Sequence, residues 1–138
     1  MKASDLFVKC LEAEGVTKIF GIPGEENADL MISLKKSKIE FVLCRHEQAA
    51  AFMADVYGRL TGKAGVCLAT LGPGVTNLMT GLADANMDRA PVVAIIGQGS
   101  TERLHKESHQ IMDSISMVAP ISKWAQTILS AKNVTEVV

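Results

Sequence analysis

The sequence predicts an α/β fold with a doubly wound, mainly parallel β-sheet that is flanked by helices. Short apolar runs alternate with longer helical patterns, and the centres of five such runs lie near residues 19, 41, 67, 93 and 123. Each interval leaves room for one crossover helix, which consecutive parallel strands require. The run Val92–Ile96 is apolar at every position, as is typical of a strand with both faces covered.

The individual elements follow from the apolar pattern and from residues that begin or end helices. Ser4 is expected to cap a first helix that Gly15 ends, and Asn133 with Glu136 is expected to begin a last one. The predicted strands are Lys18–Phe20, Glu40–Leu43, Gly65–Thr70, Pro91–Ile96 and Ile121–Trp124. The predicted helices are one with Leu30, Met31 and Leu34 on its buried stripe, then Ala49–Leu60 closed by Gly62, Val75–Ala85, and a short turn at Ile115–Val118.

Composition restricts the class of protein to which the chain can belong. Its 138 residues are enough for one domain, and hydrophobic residues make up 48% of them, which excludes a disordered chain. The net charge of -1 and the aromatic content of 4% disfavour a nucleic-acid partner. No window reaches the length of apolar residues that a membrane span needs, so no membrane partner is expected.

The cysteines and the two ends of the sequence indicate where the protein works and how much of it is present. Three cysteines without a C-x-x-C pair are typical of reduced thiols, and the first residues lack the pattern of a signal peptide, so a cytoplasmic location is expected. Only two residues follow Glu136 in the predicted last helix. We therefore expect residues 1–138 to be one N-terminal domain that is truncated within a helix starting near Asn133.

The carboxyl ends of the predicted strands are where an open parallel sheet binds its ligands. Three of the four segments that leave these ends are rich in glycine, and the fourth places Arg45, His46 and Glu47 just before a helix. A carboxylate at Glu47 would be partly desolvated and yet favoured as an anion by the helix dipole. An equally good interpretation from the residues alone is a structural glutamate that caps the helix or pairs with Arg45.

Other patterns favour structural roles over functional ones. The stretch Gly72–Asn77 lacks the third glycine of a dinucleotide-binding fingerprint, and a turn that merely starts a helix explains it equally well. His105 and His109 lack a third ligand, so a metal site is disfavoured. Cys44 is interpreted as a buried strand residue, because alternating strand positions point to opposite faces and separate a thiol from its neighbours.

Six ordered motifs resemble the pyrimidine-binding domain of thiamine diphosphate-dependent enzymes. The resemblance covers essentially the whole chain, and within that family the sequence resembles acetolactate synthases in particular. The motifs that carry it are Gly21-Ile22-Pro23-Gly24, Arg45-His46-Glu47-Gln48-Ala49-Ala50, Tyr57-Gly58-Arg59-Leu60-Thr61-Gly62-Lys63, Thr70-Leu71-Gly72-Pro73-Gly74-Val75-Thr76-Asn77, Gly81-Leu82-Ala83-Asp84-Ala85 and Pro91-Val92-Val93-Ala94-Ile95-Ile96-Gly97-Gln98.

The resemblance implies roles for individual residues. Glu47 falls on the family's glutamate that bonds N1′ of the cofactor's aminopyrimidine, and Gln110 falls on a glutamine that approaches the reacting centre. Both are therefore expected to be catalytic. A carboxylate suits the first role, because a proton shared with N1′ lets the 4′-imine take the proton from C2 of the thiazolium. The residues expected to bind the pyrimidine end of thiamine diphosphate are Pro23, Gly24, Glu47, Thr70, Gly72, Pro73 and Asn77.

The sequence departs from the family pattern in two ways. The run Thr101–Gln110 is more charged than the corresponding loop of most biosynthetic acetolactate synthases and is closer to the catabolic type. The family's diphosphate-binding domain, with its G-D-G…N-N pattern, is missing from this sequence. We therefore expect no metal ligand in this chain and expect Mg²⁺ to bind through that absent domain, while FAD dependence stays open.

The resemblance also implies an activity and partners. We expect a 2-keto acid substrate, a homo-oligomer that is a dimer or a tetramer, and a site completed by the diphosphate-binding domain of a neighbouring subunit. The leading hypothesis is decarboxylation of pyruvate and carboligation to a second 2-keto acid, with the isolated fragment inactive. The alternatives are another thiamine diphosphate-dependent decarboxylase, carboligase or pyruvate oxidase, and a free-standing non-catalytic subunit that completes a partner's cofactor site.

Overall fold

A four-stranded parallel β-sheet lies at the centre of the molecule. The structure, a computed structural model, describes residues 1–104 and 106–138. The strands lie in the order β2-β1-β3-β4, and each neighbouring pair is parallel. Their bounds are β1 Lys18–Gly21, β2 Glu40–Leu43, β3 Gly65–Ala69 and β4 Val92–Ile96. The predicted α/β fold with a parallel sheet is confirmed.

Helices connect the strands and flank the sheet. Their bounds among the described residues are α1 Ala3–Ala13, α2 Ala28–Leu34, α3 Glu47–Thr61, α4 Pro73–Met87, α5 Ser114–Val118 and α6 Val134–Val137. Short 3-10 helices occupy Glu25–Asn27, Thr101–Arg103, Ala119–Ile121 and Ala131–Asn133. Helix α3 extends one residue beyond the predicted Leu60, and Gly62 closes it as predicted, because this glycine adopts the left-handed conformation with a φ of 67°.

Apolar side chains cover both faces of the sheet. On one face, Ile19 and Leu68 belong to a buried cluster with residues of α1 and α2. On the other face, the adjacent residues Phe20 and Cys67 belong to a second cluster with residues of α3 and α4. Because successive strand residues point to opposite faces, nearly continuous apolar strands supply both clusters at once.

The predicted fifth strand at Ile121–Trp124 is wrong. Ile121 is the last residue of a 3-10 helix, and the three residues after it continue in bends and irregular backbone. Pro120 lies in the first turn of that 3-10 helix, and Ser122 and Lys123 interrupt the apolar run. The segment therefore offers too little continuous apolar surface for a covered parallel strand, and Trp124 is 62% exposed.

Two predicted helix caps differ from those observed. The N-cap of α1 is Lys2 rather than Ser4, and the Asp5 carboxylate accepts a hydrogen bond from the Lys2 backbone N at 3.2 Å. The Ser4 hydroxyl instead lies 2.9 Å from the hydroxyl of Ser33. Asn133 does precede α6, but its side chain makes no capping bond, and its buried Oδ1 has no partner among the described residues.

Helices α3 and α4 pack closely against each other beneath one end of the sheet. A Cβ added at Gly81 of α4 would lie 2.6 Å from the Cβ of Ala51 in α3, so only glycine allows this approach. Arg59 of α3 bonds Asp55 of its own helix at 2.7 and 2.8 Å. It also pairs with Asp84 at 3.1 Å and with Asp88, the residue that ends α4, at 2.5 Å.

Candidate active site

Three loops meet where the strands end. Gly24 follows β1, Thr70 follows β3, and a Cβ added at Gly24 would lie 2.6 Å from the Thr70 Oγ1. Gly97 follows β4 and lies against the same threonine, with its Cβ position 3.3 Å from the Thr70 Cα. Thr70 is therefore at the centre of this edge, and the neighbouring loops approach it closely because they carry no side chains there.

The Glu47 carboxylate is buried at the same edge. Glu47 is the first residue of α3 and is only 9% exposed. Asn77 of α4 donates from its Nδ2 to the Glu47 Oε2 at 2.9 Å. The other oxygen, Oε1, lies 3.6 Å from the position of a Cβ on Gly74. One carboxylate oxygen is thus held by an amide, and the other faces a glycine.

The contacts of Glu47 differ from both structural alternatives that the residues left open. The N-cap of α3 is His46, whose Nδ1 accepts a hydrogen bond from the Gln48 backbone N at 3.1 Å. Arg45 is exposed, and the ion pairs among the described residues do not include one between Arg45 and Glu47. Glu47 is therefore oriented by Asn77, from a different helix, rather than by its sequence neighbours.

Gly72, the N-cap residue of α4, contacts Gln110. Gly72 has a φ of 57°, and a Cβ there would lie 2.8 Å from both the Cβ and the backbone O of Gln110. Gln110 itself has a φ of 56°, which is uncommon for a residue that carries a side chain. Backbone conformations of this kind cluster at functional sites, where the surrounding structure holds them.

The remaining predicted residues lie at the rim of this edge. Pro23 is exposed beside Gly24 in the chain, and Pro73 is exposed as the first residue of α4. Contacts among the described residues link Gly24 with Thr70, Glu47 with Asn77, and Gly72 with Gln110. The structure therefore gathers the predicted residues at one end of the sheet, with the two prolines on the outside.

Glu26 and Gly74 are two residues of this edge that the sequence did not single out. Thr70 donates from its Oγ1 to the Glu26 Oε2 at 3.2 Å, which places a second, half-buried carboxylate beside Thr70. The signal that could have indicated Glu26 is a pair of acidic residues directly after the Gly21–Gly24 turn that leaves β1. Gly74 leaves the Glu47 Oε1 uncovered, a role that appears only once the two helices are packed.

The cysteines lie in the core rather than in the site. Cys67 has no exposed surface, and its burial raises the pKa of the thiol to about 12. Burial also raises the pKa of Cys44, whose Sγ lies 3.7 Å from the Met53 Sδ. Since the thiolate is the reactive form, both thiols are inert at neutral pH. The interpretation of Cys44 as a buried residue is confirmed.

The described part of the chain contains neither a metal-binding cluster nor a membrane-spanning helix. His105, one of the two histidines weighed as ligands, lies outside the described residues, and His109 is exposed. Residues 1–104 and 106–138 contain no group of three His, Cys, Asp or Glu side chains that could hold a metal ion. Their helices are each too short or too polar to cross a membrane.

A family model identifies the domain. The model described as the N-terminal TPP-binding domain of thiamine pyrophosphate enzymes matches residues 1–117. The chain belongs to this family. The resemblance that six motifs carried in the sequence is thereby confirmed for most of the chain.

Curated relatives of the chain are acetolactate synthases by name. It is 46% identical to the catabolic acetolactate synthase of Raoultella terrigena, over 98% of the chain and 24% of the relative. It is 43% identical to the acetolactate synthase of Bacillus subtilis, over 99% of the chain and 24% of the relative. It is 41% identical to the large subunit of acetolactate synthase isozyme 2 of Escherichia coli, over 99% of the chain and 25% of the relative. The chain thus spans about a quarter of the length of these relatives.

Proposed function

We propose that this chain is the pyrimidine-binding part of an acetolactate synthase-like enzyme. Such an enzyme uses thiamine diphosphate to decarboxylate pyruvate and to join the product to a second 2-keto acid. The observation that carries the proposal is the buried Glu47 carboxylate, which Asn77 orients at 2.9 Å at the carboxyl edge of the sheet. The match to acetolactate synthases over 98% and 99% of this chain supports the choice of reaction.

The residues at this edge fit the aminopyrimidine end of the cofactor. A carboxylate suits a ring nitrogen that carries a proton, and the Glu47 Oε1 lies 3.6 Å from the position of a Cβ on Gly74, where glycine leaves room. Gly24 and Gly74 lie beside Thr70 and Glu47 without side chains, so a flat ring can approach the backbone closely. Charge, shape and burial therefore agree with this assignment.

Each residue has a separate task in the proposed reaction. When bound, thiamine diphosphate supplies the carbon nucleophile and the electron sink for loss of carbon dioxide. Glu47 holds a proton at N1′ of the aminopyrimidine, and Asn77 orients its carboxylate. Gln110 faces the reacting centre from the loop that rests on Gly72. Thr70 forms the floor of the site and excludes water beneath the ring.

The rest of each active site comes from outside this chain's described residues. Those residues include no group of three His, Cys, Asp or Glu side chains that could hold the metal ion of a magnesium-bridged diphosphate. We therefore infer that a diphosphate-binding domain of a neighbouring subunit completes the site, in a cytoplasmic homo-oligomer. The charged run 101–110, together with 46% identity to a catabolic acetolactate synthase, favours the catabolic type.

Glu47→Gln in the complete enzyme tests the proposal. The variant keeps the size of the side chain but cannot ionise, so it cannot hold the proton that N1′ requires. We expect turnover and C2–H/D exchange of the bound cofactor to fall about 10²–10⁴-fold, while the free energy of unfolding changes little.

The matched control is Glu14→Gln, an exposed glutamate that ends α1, which should leave exchange unchanged. Exchange at the wild-type rate in Glu47→Gln would exclude the proposed role. Lower stability with preserved turnover would instead identify Glu47 as a structural residue.

A further inference from the structure

The segment between β4 and α5 is a loop whose two ends lie side by side. Gln98 donates from its Nε2 to the backbone O of Met112 at 2.9 Å. Its Oε1 accepts a hydrogen bond from the Gly99 backbone N at 3.0 Å. One side-chain amide therefore ties the start of this 98–112 loop to its end. Compact loops with adjacent ends are packed by their own side chains and are frequently functional.

Contacts inside the 98–112 loop reinforce this closure. Gly99 is buried, and a Cβ added there would lie 2.6 Å from the Ile111 Cδ1, so the two ends of the loop touch directly. Arg103 donates from its Nε to the Ser108 Oγ at 2.9 Å. Apart from the 3-10 helix at Thr101–Arg103, cross-loop contacts thus hold the described part of this loop.

Gln110 lies between two of these restraints. It is two residues before Met112, which Gln98 holds, and its own backbone rests on Gly72. Its φ of 56° is sparsely populated for residues with a side chain. A conformation of this kind persists only where the surroundings over-determine it, and the bond from Gln98 to Met112 is one of the contacts that do so here.

We propose that Gln98 is a positioning residue, which places Gln110 for the reaction by holding the two ends of the 98–112 loop together. The proposal rests on the proposed function, in which Gln110 faces the reacting centre. Gln98 acts through the loop backbone, because both polar atoms of its amide are already bonded to that backbone. Its effect is therefore on the step that needs Gln110 and not on proton transfer at Glu47.

Gln98→Glu in the complete enzyme separates these two steps. The new carboxylate can still accept from the Gly99 backbone N, but an oxygen replaces the donor that faces the Met112 carbonyl. We expect kcat/KM for pyruvate to fall about 10–100-fold, as for a misplacement on the order of 1 Å. C2–H/D exchange, which depends on Glu47, should stay at the wild-type rate. At lower pH the new carboxyl group at position 98 is protonated and can donate again. The difference in kcat/KM between Gln98→Glu and the wild type should therefore become smaller.

Two further variants complete the test. Gln126→Glu is the matched control, since Gln126 is exposed and its Nε2 lies 3.4 Å from the Thr127 O, outside the loop. It should leave kcat/KM unchanged. Gln98→Met removes both bonds at similar size, and trypsin should then cleave the folded enzyme faster after Arg103 and Lys106.

The outcomes are distinguishable from those of the proposed function. Wild-type kcat/KM in both Gln98 variants overturns the positioning role, and so does a loss of C2–H/D exchange in Gln98→Glu. If trypsin cleaves Gln98→Met no faster than the wild type, the claim that this side chain holds the loop closed is wrong. If Glu47→Gln leaves exchange unchanged, the proposed function itself fails, whatever the Gln98 variants do.

Discussion

Gly72 is the residue at this site whose backbone tolerates a side chain least. Its φ of 57° with a ψ of −117° disfavours any residue other than glycine, and Gln110 lies 2.8 Å from the position of its Cβ. We expect Gly72→Ala to lower the free energy of unfolding by about 1–3 kcal/mol. Urea denaturation measures this loss.

Gly62→Ala is the matched control, because Gly62 also has a positive φ but has open space around its Cβ position. It carries the cost of backbone strain alone, so its loss should be smaller than that of Gly72→Ala. The backbone of Gly72, with a ψ of −117°, is also less favourable for alanine than the left-handed backbone of Gly62, with a ψ of 8°. Equal losses would therefore show that neither this difference nor crowding against Gln110 contributes.

At the scale of single residues, the sequence could indicate Glu47 but not its supporting contacts. A carboxylate directly after a strand and before a helix is a local pattern, and the resemblance added its role. Glu26 meets Thr70 across 44 residues of sequence, and Gln98 meets Met112 across 14. Contacts at such separations depend on how the elements pack, which no local pattern contains.

Helices α3 and α4 hold the two ends of the Glu47–Asn77 hydrogen bond, and Arg59 joins the same two helices far from that bond. Asp55, its partner within α3, is 1% exposed, so Arg59 is what compensates a buried charge. The hydrogen bond to Asp55 raises the pKa of Arg59 above its ordinary value. A raised pKa adds stability that is fully present below the ordinary pKa and is lost only in strong alkali.

Arg59→Met should therefore destabilise the domain by leaving the Asp55 carboxylate buried without a cation. We expect the melting temperature to fall on the order of 5–10 °C, with the same fall at pH 6 and pH 9. Calorimetry of the variant measures this. The double variant Asp55→Asn/Arg59→Met should recover part of the loss, and a double variant as unstable as Arg59→Met would contradict this account.

At the scale of elements, the apolar periodicity of the sequence predicts those helices and strands whose bounds the local sequence determines. The strand Glu40–Leu43 has the predicted bounds, and α3 and α4 extend the predicted helices at both ends. The strand predicted at Ile121–Trp124 is wrong, because two polar residues and a preceding proline break a short apolar run. The sequence places Glu47 just before its helix, whereas the structure has it as the first residue of α3. Assigned helix starts commonly differ by about one or two residues.

At the scale of the whole molecule, the outer face of α3 carries several exposed apolar side chains. Met53, Val56 and Leu60 are 45%, 50% and 82% exposed, and they follow one another at helical spacing. Because such patches drive association, we expect the chain to form a homodimer or a larger species.

Sedimentation of Val56→Lys beside Ile32→Lys tests this expectation. Ile32 is similarly exposed, at 51%, but lies on α2. Only Val56→Lys should shift the distribution towards monomer. A wild-type chain that sediments as a monomer at high concentration, or equal effects of the two variants, would count against association through α3.

The chain alone should bind thiamine diphosphate weakly. Most of the cofactor's charge is on its diphosphate, and the described residues have no acidic cluster to hold the bridging metal. Titration calorimetry of the isolated chain with Mg²⁺ and thiamine diphosphate should therefore show no submicromolar binding, whereas the complete enzyme should bind. Submicromolar binding to the chain alone would contradict the division of the site between two domains.

The hydrogen bond from Asn77 to Glu47 joins two helices of this chain and forms when α3 and α4 pack together. The Glu47 side chain therefore loses its rotational freedom when the chain folds. Binding of a ligand does not have to restrict this rotation a second time. Immobilising a side chain of this kind on binding opposes association by about 0.5–1.5 kcal/mol. In the proposed function, the entropic cost of arranging the Glu47 carboxylate thus falls on folding, and binding of the pyrimidine ring would fix fewer degrees of freedom.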